Sequence, residues 1–303
     1  KSPEAEMYVA DNASTDQSVA YVQENHPSVK IIQNTKNDGY AGGYNQALAN
    51  ICSDYYVLLN SDIEVTGNWL SPVIQLMEDD KNIAACQPKI KSFHQKEYFE
   101  YAGACGGFID HLGYPFCRGR IFDTLEKDEQ QYEEAREVFW ATGACFFVRA
   151  THFHEVGGLD ADFFAHMEEI DLCWRLQNSG HSIWVQPASA VYHVGGGTLQ
   201  SGSTFKTYLN FRNNLFMLYK NLERPTPTIV KRLFLDGLAG LKFLSEGKLI
   251  HTWAIVRSHF AFYGAINQLK KKRAHTFHAA LYPKSILFSY YLQAKKKFSD
   301  LVE

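Results

Sequence analysis

Short apolar runs alternate with segments of helical period through the first 90 residues. MYVA (7–10), VKII (29–32), YYVLL (55–59) and IAAC (83–86) read as strands, and helices are expected between them from about Asp16, about Gly42 and about Trp69. Strands joined by crossover helices predict an open, Rossmann-like, mostly parallel α/β sheet with its ligand crevice at the carboxyl ends of the strands. A first strand so close to Lys1 leads us to expect a further strand and helix ahead of it. From 93 to 150 the pattern changes, with Gly103, Gly106, Gly107, Gly113 and Gly119 spaced among aromatics as suits hairpins and irregular loops. A strand at about 145–148, a helix from Glu168 to Asn178 and strands near 183–185 and 190–193 follow. Beyond about Phe205 the period is helical, broken by turn signals at ERPTPT (223–228) and Gly247.

The 303 residues are 46% apolar and 21% charged, which excludes a disordered or fibrous chain. No apolar run approaches the ~20 residues of a bilayer-spanning helix. The six cysteines, at 52, 86, 105, 117, 145 and 173, form no CxxC pair, so neither a zinc nor a redox motif is expected, and a reduced, cytoplasmic setting is. Charge is distributed unevenly: 17 Lys and Arg face 5 Asp and Glu from Lys206 onward, against 13 and 28 before it. A basic helical end, with clusters at Lys270–Arg273 and Lys295–Lys297 beside Trp253, Phe260, Phe262 and Tyr263, suits an anionic membrane surface. A bundle packed on the rest of the chain, or on a second subunit, accounts for it equally well. Nucleic acid is not expected as a partner, because these basic residues lie on aromatic helices without a recognised binding module.

Five segments carry candidate chemistry. DNASTD (11–16) ends the first strand; Asp11 and Asn12 there could accept from a nucleotide, with Ser14 capping the next helix, though a bare helix cap would look the same. NDGYAGGYNQAL (37–48) offers close backbone approach at Gly39, Gly42 and Gly43, beside Tyr40 and Asn45, yet matches neither a P-loop nor GxGxxG. YYVLLNSD ends a strongly apolar strand in Asn60, Ser61 and Asp62, where a carboxylate could hold Mg²⁺ or Mn²⁺. In FFAHMEEIDLCWRLQNSG (163–180), Glu168, Glu169 and Asp171 crowd beside aromatics, where burial would raise a carboxylate's pKa and suit it to act as a base. Acidic residues in a first turn also simply complement the helix dipole. VYHVGGGT (191–198) sets His193, a candidate metal ligand or a structural histidine, before three glycines.

Taken together and in order, DNASTD, GYAGGYNQAL, LLNSD, the stretch from Trp140 to Arg175 and VYHVGGGT resemble the inverting family-2 glycosyltransferases, in particular their rhamnosyltransferase-like branch. The resemblance implies the A-type glycosyltransferase fold over residues 1–204, with a nucleotide half at about 1–92 and an acceptor half at about 93–204, then a basic helical extension over 205–303. It implies transfer of a sugar from a nucleoside-diphosphate sugar to a hydroxyl of a glycan or lipid-linked saccharide in bacterial surface polysaccharide synthesis, at the inner face of the plasma membrane. By position, Asp11 and the Gly39–Asn45 loop would contact the donor, and Asp62 and His193 would hold the metal. Glu169 would be the general base, with Glu168 and Asp171 as alternatives. Trp140–Gly143 and Gly158–Asp160 would shape the acceptor side. Two departures stand out: Asn60 replaces the first carboxylate of the family's DXD motif, and Glu replaces the usual Asp as base. The first departure leaves open a non-catalytic nucleotide-sugar binder or scaffold, and the α/β pattern alone would also suit a sugar-phosphate nucleotidylyltransferase.

Overall fold

A computed structural model describes residues 5–195 and 202–302. The first stretch runs β1 (Tyr8–Asp11), α1 (Ser18–Asn25), β2 (Lys30–Gln33), α2 (Gly39–Leu48), β3 (Tyr55–Leu59), β4 (Ile63–Val65), α3 (Ser71–Asp79) and β5 (Ile83–Ser92). Each expected strand and helix is present. Gly39 opens α2 at φ +70°, three residues earlier than its apolar pattern indicates. Ser14 does not cap α1; Asp11 instead accepts from the Ser14 N–H, and Asp16 accepts from the Ser18 N–H.

The gly-rich middle forms a four-stranded antiparallel meander of β6 (Gly107–Ile109), β7 (Pro115–Cys117), β8 (Arg120–Ile121) and β9 (Thr124–Leu125). Then come β10 (Arg136–Val138), β11 (Cys145–Arg149), α4 (Ala150–Glu155), α5 (Glu168–Asn178) and β12 (Ser182–His193). The two strands expected near 183–185 and 190–193 are one strand, with a register shift between Gln186 and Ala190 where Pro187 supplies no N–H.

The central sheet is mixed where the sequence pattern predicts mostly parallel strands. Its order is β10-β12-β5-β11-β3, with β4 also on β12. Only β5 and β12 run parallel; β11 is antiparallel to both β3 and β5, and β10 and β4 are antiparallel to β12. β1 and β2 make a separate parallel pair. The reason is local. β11 enters from an irregular segment rather than a crossover helix, and its CFFV run is buried on both faces, so its apolar pattern is that of a parallel strand.

The C-terminal helices are α6 (Thr204–Asn221), α7 (Pro225–Ser245), α8 (Leu249–Lys271), α9 (Ile286–Tyr291) and α10 (Ser299–Val302). Pro225 sits at the start of α7, where its missing N–H costs nothing, so the turn expected over 223–228 shrinks to the residues before it. Leu215, Phe216, Phe262, Leu269, Ile286 and Phe298 belong to the same apolar core as Phe146, Leu172 and Trp174 of the α/β part. Phe262 is therefore a core residue, unlike Trp253 and Phe260, which are exposed. Of the basic cluster at 270–273, Lys272 pairs with Asp160 and Asp162, and Arg273 donates to the carbonyls of Tyr219, Leu222 and Glu223 at the end of α6. No helix among the described residues is long and apolar enough to cross a membrane. All six cysteines are free.

Candidate active site

Asp62, just after β3, and His193, at the end of β12, meet at one end of the central sheet. Pairing of β4 with β12 sets His193 opposite Ile63, which places Asp62 beside the imidazole. Nε2 of His193 lies 3.2 Å from Asp62 Oδ1, and Nδ1 lies 3.1 Å from Glu100 Oε2 without the alignment of a hydrogen bond. Burial lowers the pKa of His193, but Glu100 and Asp62 outweigh it and hold it above the ordinary value. A metal-ligating histidine commonly turns its second nitrogen to a carboxylate, and Glu100 occupies that position. Asp62 Oδ1 and His193 Nε2 are thus spaced as two ligands of one cation, and a carboxylate with an imidazole suits Mn²⁺ or Mg²⁺ completed by phosphate oxygens and water. Glu100 carries no motif and was missed; it arrives from the loop after β5, and no spacing in the sequence links it to His193. Of VYHVGGGT, Gly196, Gly197 and Thr198 lie outside the described residues.

The loop from Trp140 to Ala144 joins this corner to the acidic helix. Ala144 O accepts from the Asn60 N–H at 3.0 Å, fixing the turn that carries Asn60, Ser61 and Asp62. Tyr40 Oη donates to Gly143 O at 2.7 Å, and the Gly143 backbone also stabilises the Glu169 carboxylate. Trp140 itself is buried, its indole donating to Phe108 O and packed where a Cβ on Gly107 would sit, so it supports the loop without lining the cleft.

Glu168 and Glu169 open α5. Burial raises both pKa values. Glu168 is pushed well above the carboxylate range, next by the Glu169 charge. Glu169 is half-buried and reaches about 6, because backbone N–H groups oppose the desolvation. One oxygen of each, Oε2, has no hydrogen-bond partner. Asp171 differs from both. It is fully buried, accepts from Asn221, and is bonded to Lys220 and Arg175, whose charges hold its pKa below the usual range against burial. With its oxygens committed to these cations, Asp171 is a structural anchor and not a free base.

The turn ahead of α5 is strained. Phe164, His166 and Met167 all have positive φ, at +64°, +69° and +72°. It is held from α6: the Asn213 amide donates to the carbonyls of Phe163, Ala165 and His166, and Arg212 donates to those of Asp162 and Phe163. Neither residue was identifiable from sequence, since both lie in a helix with no motif about 45 positions away. Phe164 O also accepts from the Ala41 N–H and sits 2.2 Å from where a Cβ on Gly39 would be, so this glycine is required for α2 to pass under the turn.

At the end of β1, Asn12 donates to Gly39 O and Asn37, and accepts from Asn34, which stitches β1 to the start of α2. Gly43 leaves room for the Asn12 side chain 3.0 Å from a hypothetical Cβ. Asp11 is buried beside them. Asn45 makes a two-way clasp with Leu159, donating to its carbonyl and accepting from its N–H, and so joins the glycine-rich helix to the GGLD turn. In that turn Asp160 binds Lys220 and Lys272.

The family model for Glycosyl transferase family 2 matches residues 1–157, more than half of the chain. Among curated relatives, N-acetylglucosaminyl-diphospho-decaprenol L-rhamnosyltransferase of Mycobacterium tuberculosis is 26% identical over 208 residues, covering 63% of this chain and 67% of that protein. The low-salt glycan biosynthesis hexosyltransferase Agl10 of Haloferax volcanii is 22% identical over 282 residues, covering 88% of this chain and 84% of its own. The crystal structure of GalNAc-T7 with UDP, GalNAc and Mn²⁺ superposes with a TM-score of 0.53 at 17% identity, over 73% of this chain but only 44% of that one, a likeness of fold. The fold is the A-type glycosyltransferase fold, and the chain belongs to glycosyl transferase family 2.

Proposed function

We propose that this protein transfers a sugar from a nucleoside-diphosphate sugar to a hydroxyl of a glycan or lipid-linked saccharide, with inversion at the anomeric carbon, in surface polysaccharide synthesis at the inner face of the plasma membrane. The observation that carries the reading is Glu169: a carboxylate with a free oxygen and a pKa near 6, on a helix start linked through Gly143 and Ala144 to the Asp62–His193 corner. The names of the rhamnosyltransferase and hexosyltransferase relatives support the donor and acceptor classes.

Asp62 and His193 would hold Mg²⁺ or Mn²⁺, which when bound neutralises charge on the leaving diphosphate. Asp11, Asn12 and the Gly39–Asn45 loop line the donor side. Glu169 takes the proton of the acceptor hydroxyl as its oxygen forms the new bond to the anomeric carbon and the bond to the diphosphate oxygen breaks. A base with a pKa near 6 is ionised at neutral pH yet basic enough to share the proton in the transition state. Glu168, its neighbour, is raised in the same direction, by burial first and next by the Glu169 charge.

Asn60, in place of a carboxylate, favours a second reading, a nucleotide-sugar binder without turnover. Titration with a panel of nucleoside diphosphates and their sugars, with Mn²⁺ and then EDTA, separates the two. Metal-dependent donor binding with slow hydrolysis or transfer supports the enzyme; binding without any turnover supports the binder; no binding to any donor refutes both.

A further inference from the structure

The outer side of the α7–α8 hairpin has no counterpart in the catalytic machinery. On α7, Phe234, Leu238 and Leu241 lie on one stripe with Val230. On α8, Leu249, Trp253 and Phe260 form a second stripe, opposite the buried positions Ala254, Ile255, Ser258 and Phe262. Phe234, Leu241, Leu249, Ile250, Trp253 and Phe260 are each 59–69% exposed. Single exposed apolar residues are ordinary, but an exposed apolar stripe on each of two successive helices is not.

Charge selects the occupant. Between residues 225 and 285 the only acids are Asp236 and Glu246. Asp236 is buried against Arg232 and His259, and Glu246 pairs with Lys248 and, at 3.9 Å, with Lys242. Lys231, Lys242, Arg257, Lys270 and Lys271 are exposed basic residues on the same two helices. A second copy of this face would bring like charges together. An anionic lipid surface matches both properties, since its headgroup boundary accepts apolar side chains and each Lys or Arg near it gains roughly 1 kcal/mol.

We propose that the outer face of α7 and α8 seats the protein on an anionic lipid surface, with Phe234, Leu241, Trp253 and Phe260 entering the headgroup boundary and the basic side chains meeting lipid phosphates. The face continues toward the cleft. Arg257 lies 5.3 Å from the Tyr208 ring, Tyr208 stacks on Phe205 with ring centroids 6.3 Å apart, and Phe205 packs edge-on against Phe164, in the strained turn ahead of Glu168. This row gives a phosphate-bearing lipid acceptor a route from the surface to Glu169, a part of the inference that rests on the glycosyltransferase reading.

Flotation of the purified full chain tests it, using vesicles of phosphatidylcholine with phosphatidylglycerol and vesicles of phosphatidylcholine alone. The chain is expected to float with the anionic vesicles at low salt, and to lose most of that binding on the neutral ones or near 1 M salt, where the screening length falls to about 3 Å. The triple variant Phe234→Ser, Trp253→Ser, Phe260→Ser, and separately Lys231→Glu, Lys242→Glu, should each reduce binding at least ~10-fold with unchanged circular dichroism, because exposed side chains contribute little to the fold. No flotation at low salt, or full flotation of the triple variant, overturns the proposal. So does a dimer that this variant abolishes, which would give the face to a second copy. Donor hydrolysis without vesicles is read in parallel. Flotation without turnover removes the transferase reading and leaves the lipid surface, whereas turnover without flotation does the reverse.

Discussion

On the inner side of the C-terminal helices, Lys220 is almost sequestered from water between Asp160 and Asp171, Lys272 reaches Asp160 and Asp162, and Asn213 holds three carbonyls of the turn before Glu168. On the outer side, Lys231 and Lys242 are exposed beside Phe234, Leu241 and Trp253. The surplus of basic residues after Lys206 is therefore two populations. One fixes the acidic helix and the turns beside it, and the other stays exposed on α7 and α8. The same side chain contributes quite differently in the two settings, because a buried charge without its partner is costly while an exposed one is screened.

The inner side matters for chemistry only if the helix it holds carries the base. Glu169→Gln is expected to lower turnover by at least ~10²-fold, with nucleotide affinity within a few fold; full activity would place the base elsewhere. For stability, Lys220→Met should cost about 3–5 kcal/mol in urea denaturation, since it strands Asp160 and Asp171 in the interior. Lys242→Met on the outer side should change stability by no more than about 0.5 kcal/mol. Equal losses would erase the distinction. Asn213→Ala should cost about 1–3 kcal/mol for its unpaired carbonyls, and lower kcat more than it raises donor KM, because the loosened turn displaces Glu169. Similar kcat in a folded variant would show that α6 does not position the base.

The smallest effect is in pH. The folded pKa of Glu169 is raised from 4.5 to about 6, so the folded state holds its proton more tightly, and stability from this group is present below pH 4.5 and lost as pH rises to about 6. Glu168 shifts in the same direction, so the contribution is read as the difference between wild type and Glu169→Gln, wild type losing of order 1 kcal/mol more than the variant across that window. Identical slopes would mean that Glu169 is not desolvated as its burial implies. Activity runs oppositely, rising with pH through the same window as the base ionises.

Much of the site could be read along the chain because its parts are local. Strand ends carrying Asp11 and Asp62, the glycines under the strained turn, and the paired acids of α5 are each a contiguous pattern, and their order matched one family. The acidic helix appears with the expected bounds, Glu168–Asn178, since its period is a short-range property. What could not be read is what depends on partners far apart in sequence. Glu100 behind His193, Asn213 under the turn and Lys220 on Asp171 are ordinary residues made functional by contact. Asp171 stands with Glu168 as an alternative to Glu169 on sequence because all three share one acidic turn, and only the approach of α6 ties Asp171 to Lys220 and Asn221. Phe262 was indistinguishable from Phe260 for the same reason.

The sequence by itself determined the family, the order of the strands and helices between Met7 and Cys86 that its periodicity marks, the candidates Asp62 and His193, and the excess of basic charge at the C-terminal end, because periodicity, strand-end chemistry and composition are written in consecutive positions. Only the tertiary structure decided the direction of β11, which acid is left free, and which basic residues face inward. A buried strand has the same pattern in either direction, and a charge acquires its pKa and its role from the groups packed against it.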